Sequence, residues 1–224
     1  MTTVAPSTRP SAAQVVQTVA GDFIIDLQKG YLADQSWAVA LLARLRRGAG
    51  KLPQDVPDLW GMTGTDRLYE HDLSEADMVR AETALFVTVT LYALHQQSRT
   101  DKGMHRRNIE LGEAVRRLMP RGEIDEPIRR RFVRVGTAGT RQTLAHRLRE
   151  IVSLLRGESI SLDYARLAGQ LYQAQHPDGM RQVRQSWGRS FHAYRPPASS
   201  STGDTTPGDT TIQPTVIPTE KDSR

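Results

Sequence analysis

Apolar side chains return every three or four residues from Val16 to Phe191, a period that fits amphipathic helices and does not fit strands. Val16, Val19, Phe23 and Leu27 make a first stripe, and Trp37, Leu41 and Leu45, with Ala38 and Leu42 beside them, make a second. Leu144, Leu148, Ile151, Val152 and Leu155 mark a strongly amphipathic helix, followed by faces at Tyr164, Leu167, Leu171 and at Val183, Trp187, Phe191. Internal repeats and the strand–helix alternation of a doubly wound fold are both absent from the pattern. The expected fold class is therefore all-α: a compact helical bundle of about eight helices, in one lobe or two small ones.

Breaks and caps divide the bundle. A Pro/Gly-rich connector from Gly48 through Pro53, Pro57 and Gly61 to Gly64 interrupts any helix there. Ser74, with Asp77 three residues on, resembles a capping box and opens a long helix to about Gln97. That helix contains the longest apolar stretch, Thr83 to Leu94, far short of the roughly 20 residues of a membrane span. It is expected to be a buried core helix, although Val87-Thr88-Val89-Thr90 is locally β-prone. A polar, basic link from Ser98 to Arg107 precedes a helix near Ile109 to Met119. Glu126-Pro127 starts the next helix, which runs from Ile128 to Val135. Gly136 to Gly139 makes a tight link, the Leu-rich helix ends at Gly157, and Ser161 or Asp163 caps its successor. The polar termini, residues 1–11 and 195–224, hold almost no apolar material and are expected to be disordered around a single helical domain at 12–194.

The net charge of +5 is modest, but it is unevenly placed. Residues 1–98 carry 8 Lys+Arg against 11 Asp+Glu, residues 99–156 carry 15 against 7, and residues 157–224 carry 7 against 7. The whole excess thus sits in the middle quarter of the chain. Of the 30 basic residues 26 are Arg, which suits planar, bidentate contact with phosphate. A GC-rich coding sequence accounts for the Arg:Lys ratio equally well, but not for the clustering. Arg44, Arg46, Arg47 and Lys51 group at the end of the second helix, and Arg99, Lys102, Arg106 and Arg107, with His105, crowd one link. Arg129, Arg130, Arg131 and Arg134 fall in one short helix, where Arg130 and Arg134 share a face and Phe132 and Val135 are expected to bury. Arg141 and Arg147 extend this candidate nucleic-acid surface. Such a surface neutralises phosphates, so binding is expected to be salt-sensitive and weakly sequence-dependent. Some of these arginines are expected instead to pair with Glu110, Glu113, Glu123, Asp125 or Glu126. Trp37 and Trp187 lie on apolar stripes and are expected to pack in the core rather than stack on bases.

Little points to catalysis. There are no cysteines, which removes disulfides and thiolate chemistry and fits a reducing, cytoplasmic setting. No secretion signal is evident at the N-terminus. The six histidines show no metal-ligand spacing. His71-Asp72 matches the doublet of a metal-dependent helical phosphohydrolase family, but that family needs an earlier His, and His71 is the first. Gly61 to Thr65 and Gly136 to Thr140 lack the Lys of a P-loop and read as turns. No catalytic residue, metal or cofactor is assigned.

Several segments, taken in order, resemble one family. Ala43-Arg44-Leu45-Arg46-Arg47 is followed by the Pro-containing connector and Leu59-Trp60, then by the basic link and Ile109 to Val115. Ile128-Arg129-Arg130-Arg131-Phe132, Arg147-Leu148-Arg149, Leu162 to Ala168 and Trp187-Gly188-Arg189-Ser190-Phe191 complete the pattern over roughly residues 35–192. Together they resemble the CasB family, the small subunit of the type I-E CRISPR surveillance complex, Cascade. The resemblance implies an all-helical, non-catalytic subunit present as a head-to-tail pair of copies in a crRNA-containing assembly. There it contacts the other Cascade subunits and target DNA, including both strands of the R-loop. Base pairing reads sequence in such complexes, so this subunit needs only charge and shape. Carried over by motif, Arg46, Arg47, Arg129 and Arg130 are the leading candidates for nucleic-acid contact. Glu110 and Glu113 depart from the small or basic residues expected there. The alternatives are a stand-alone helical DNA-binding regulator, with Ser161 to Gln175 a faint helix-turn-helix, and the metal-dependent phosphohydrolase.

Overall fold

The computed structural model describes residues 10–195; the expected disordered ends lie essentially outside that range. Within it the chain forms eight α-helices joined by four short 3₁₀ turns, and no strand. The helices are α1 (Ala12–Leu32), α2 (Ser36–Leu45), α3 (Glu75–Gln96), α4 (Leu111–Arg117), α5 (Glu126–Gly136), α6 (Arg141–Gly157), α7 (Tyr164–Gln173) and α8 (Gly179–Ala193). No helix among them is long and apolar enough to cross a membrane.

Side-chain caps open the helices, at Ser11, which the sequence reading did not single out, and at Ser74 and Asp163, which it did. The Ser11 hydroxyl accepts from the Gln14 amide and Gln14 reaches back to the Ser11 amide, closing a full capping box on α1. Ser74 does half of this for α3: its hydroxyl accepts from the Asp77 amide and donates to the Asp77 carboxylate at 2.7 Å. The bond from the Ser74 hydroxyl, with one from the Tyr172 hydroxyl and the Arg80 guanidinium alongside, holds the Asp77 carboxyl below its ordinary pKa. Asp163, rather than Ser161, caps α7. The helix expected from Ile109 to Met119 is shorter, because Ile109 is buried ahead of the first turn and Leu118 already closes the last.

The centre is α3. Every residue from Ala84 to Ala93 is buried, including Thr88 and Thr90, and the Thr90 hydroxyl turns back onto the Phe86 carbonyl at 2.8 Å. A β-prone run is thus held helical because neighbours cover it on all sides: α1, α2, α6 and α7 all pack on this helix. The second stripe is rotated from its expected setting. Ala38, Leu42 and Leu45 face the core, Leu41 is half-buried, and Trp37 is 51% exposed. Both residues lie against Gly30 of α1, whose missing side chain leaves room for the Ala38 methyl and the edge of the Trp37 ring; the rest of the indole stays outside the core with its N–H on Gln35. Trp187 does pack in the core, 1% exposed, with its indole N–H donating to Gln170 at 2.7 Å.

A second packing unit joins α4 to α8, with α5 lying on α6 and stacking Phe132 on Phe191. Val135 is buried, whereas Phe132 is only half-buried. Gly112 is the contact point between α4 and α8: a Cβ there would fall inside the van der Waals envelope of the Trp187 carbonyl oxygen and the Phe191 amide nitrogen, both backbone. Gly112→Ala should therefore force the helices apart and destabilise the protein by about 1–3 kcal/mol in chemical denaturation.

Candidate nucleic-acid interface

The basic link between α3 and α4 is built from below by buried amides. Gln96, at the end of α3, donates through Nε2 to the carbonyls of Arg99 at 2.5 Å and Lys102 at 2.9 Å. Its Oε1 accepts from the Met104 amide at 2.8 Å and from the Tyr92 hydroxyl at 3.2 Å. Gln28 of α1 grips His105 on both backbone groups, accepting from its amide at 2.8 Å and donating to its carbonyl at 3.3 Å. A parallel bridge pairs the Leu162 amide with the Met104 carbonyl and the Arg106 amide with the Leu162 carbonyl. Asp163 then accepts from the Asn108 amide at 2.8 Å while its other oxygen caps α7. The link is polar in composition, yet its backbone is tied at Arg99, at each residue from Lys102 to Arg106 and at Asn108, while the side chains of Lys102, Arg106 and Arg107 are exposed.

Burial sets the protonation of two histidines under this link. His95 has no exposed surface and places Nδ1 2.9 Å from the Tyr164 hydroxyl. Desolvation pushes its pKa down to about 3. Desolvation also lowers His105, which accepts from the Tyr164 amide through Nδ1 and so carries its proton on Nε2.

The other basic groups converge on α6. Gly50, at φ +80°, turns the chain after Arg46 and Arg47 so tightly that its carbonyl accepts from Gln142 and its α-carbon packs on Arg149 and the His146 backbone. At the far end of α6, Arg99 donates to the carbonyls of Arg156 at 2.6 Å and Gly157 at 3.2 Å, while Arg156 donates to the Gln97 carbonyl. At 100° per residue Gln142, His146, Arg149 and Arg156 share one face of the helix. The end of α2 and the 99–107 link therefore approach the same face, separated by about 16 Å along α6. Arg147 points to another flank, where it donates to the Arg134 carbonyl and fastens α5.

The candidate arginines thus divide. Arg44, Arg46, Arg47, Lys51, Lys102, Arg106, Arg107, Arg131 and Arg134 are exposed and form no ion pair among the described residues. Arg129 and Arg130 are also exposed but share Glu126, at 2.9 and 3.8 Å. Arg141 meets Gln175 at 3.4 Å. Arg99 and Arg147 spend their guanidinium donors on helix C-terminal carbonyls and act as struts. Glu110 and Glu113 pair elsewhere, with Arg166 and Arg117. Arg149, absent from the candidate set, belongs to it by position; the signal was the Gly48-Ala49-Gly50 turn that follows Arg46-Arg47. His71 and Asp72 lie exposed at the end of a 3₁₀ turn, and no group of three or more metal-ligating side chains converges among the described residues.

A family model for CRISPR-associated protein Cse2 matches residues 41–192. The chain belongs to the Cse2 family. A solved member, described as the crystal structure of CasB from Thermobifida fusca, is 54% identical in sequence with a TM-score of 0.73. The match covers 80% of this chain and 98% of that one. No curated protein gave a significant match. The family match takes in α3, the basic link and α4 to α8, together with the end of α2 that carries Arg44, Arg46 and Arg47. It agrees with the resemblance to the CasB family of type I-E Cascade.

Two outcomes follow for this Cse2-family chain. Gln96→Leu keeps the volume of the side chain but strands two carbonyls and an amide, so amide exchange at Met104 should rise steeply. Stability should fall by about 1–3 kcal/mol. Between pH 6.5 and about 3, the unfolded chain binds a proton at His95 that the folded chain refuses. Stability should therefore decrease as pH falls through that window, by about 1.4 kcal/mol per pH unit from this group. Denaturation curves of His95→Asn should show a correspondingly shallower pH dependence.

Proposed function

We propose that this chain is the small subunit of a crRNA-guided type I-E Cascade complex, and that it holds nucleic-acid backbone without reading sequence and without catalysis. Cse2-family membership supports the Cascade assignment. The nucleic-acid reading rests on one observation: Arg46, Arg47 and Lys51 are exposed and form no ion pair among the described residues, in the turn whose Gly50 packs on Arg149 of α6, and the 99–107 link meets the other end of that helix. About 16 Å of axis corresponds to roughly five phosphate steps of one strand at ~3.4 Å each. Guanidinium groups address such phosphates bidentately, and their long stems adjust to any base sequence.

The α5 arginines form a second strip on a different flank of α6. Two strips on separate flanks suit two separated strands, as an R-loop presents them. The further partners in this reading are the other crRNA-bearing Cascade subunits and a second copy of the chain, arranged head to tail. The setting is the cytoplasm, where such a complex meets invading DNA.

The double variants Arg46→Ala/Arg47→Ala and Arg129→Ala/Arg130→Ala, assembled into the complex, test both strips. All four side chains are exposed, so melting should stay within about 0.5 kcal/mol of the parent. Each pair should weaken target binding and flatten the dependence of log K on log salt by about 1.4, at ~0.7 per single-strand phosphate contact. If both pairs leave the salt slope untouched, the interface lies elsewhere.

A further inference from the structure

The charge of α8 is concealed in the sequence count. Residues 157–224 carry 7 Lys+Arg against 7 Asp+Glu, but four of those acids, Asp204, Asp209, Glu220 and Asp222, follow residue 195. Helix α8 (Gly179–Ala193) holds Arg181, Arg184 and Arg189 and no acidic residue. A helix face that merely meets water usually interleaves charges of both signs, three or four residues apart. All three α8 arginines are exposed, and none has an ion-pair partner among the described residues.

Packing sets this charge beside α5. Phe132 stacks on Phe191 with ring centroids 5.5 Å apart, and the Arg184 guanidinium donates to the Gly136 carbonyl at 3.5 Å. Residue 132 meets 191 and residue 136 meets 184, so the helices run antiparallel along this seam. The Arg184 stem lies over the end of α5, within van der Waals contact of the position a Gly136 Cβ would take. At 100° per residue Arg181, Arg184, Gly188 and His192 form one ridge of α8. Gly188 leaves a gap in that ridge, since a Cβ there would touch nothing beyond its own turn of helix within 4 Å. From Arg129 of α5 to Arg181 of α8 the seam measures about 20 Å along the helix axes, roughly six phosphate steps at ~3.4 Å each.

We propose that the second nucleic-acid strip continues from α5 onto α8, Arg181 and Arg184 holding phosphates of the strand that meets Arg129 and Arg130. This rests on the nucleic-acid reading of α5. The ridge carries no carboxylate and no large aliphatic side chain, so it offers a partner only cationic and hydrogen-bonding heads. That suits a phosphate backbone, whose regular negative charge needs no apolar complement. A stable protein interface is built instead on a buried apolar centre.

The gap at Gly188 permits a test that removes nothing from the fold. In the assembled complex, Gly188→Lys should tighten target binding and steepen the dependence of log K on log salt by about 0.7, and Gly188→Glu should weaken binding several-fold. Neither should lower the melting temperature, because a helix interior favours either residue over glycine. Arg181→Gln with Arg184→Gln should flatten the same dependence by about 1.4. If the α8 variants leave affinity and salt slope at parental values while Arg129→Ala/Arg130→Ala lowers both, the proposal is overturned and the reading of α5 stands. If the α5 pair is silent as well, that reading fails and takes the proposal with it. Loss of the subunit from the complex, with target binding intact where it remains, also overturns the proposal, since the ridge then serves an acidic protein surface.

Discussion

A carboxamide buried at the end of α3 makes four hydrogen bonds, three of them to backbone groups of the basic link. In a low-dielectric interior an amide left half-satisfied is costly, and one satisfied on all sides selects a single arrangement of its partners. Gln96 is such a group, and α3 is the reason it can be, since the helix is covered all round and carries the side chain into the core. Gln28, Asp163 and the Met104–Leu162 bridge extend the same principle to residue 108. A segment dense in like charge, which alone would repel itself into an open chain, is thereby held in one backbone path.

In the proposed nucleic-acid reading that path matters, because affinity for phosphate depends on where charges are held as much as on their number. Arg99 and Arg156 exchange backbone hydrogen bonds between the link and the end of α6, and Gly50 brings the Arg46–Lys51 turn to the other end of the same face. The scaffold is therefore α6, and the charged heads are mobile fittings on a fixed rail. Charge that is positioned but not desolvated suits a surface asked to follow a backbone of any sequence.

Much of this was legible in the residues themselves. The helical period, the connector at 48–64, the cap at Ser74, a cap at Ser161 or Asp163 and the apolar run that buries Ala84 to Ala93 all depend on neighbours within a few positions, which is what local pattern reports. Trp37 was not legible: Ala38 rather than Trp37 is buried, and both rest on Gly30, a contact with another helix that local pattern does not report. Nor was the role of Arg99. In sequence it is one more arginine in a basic link; in space it closes a helix 57 residues away. Arg129 and Arg130 illustrate the converse, since Glu126 lies within one turn and their pairing could be read locally.

The first helix packs along the seventh, and that partnership has a temporal side. Ribosomes add about 5–20 residues per second, so α1 is finished some 7–26 s before Tyr164 is made. For that interval α1 can pack on α2, α3 and the turns between them but not on α7, and α3 lacks both α6 and α7 until they are made. Local helices can flicker during synthesis, but the core cannot close until α7 has been made. The Gln96 amide finds Met104 early, yet the surface above it is not finished until Leu162 and Asp163 emerge. The segment that completes the cover of the core, Leu162 to α7, thus also completes the backbone of the basic link, so both are finished late in synthesis.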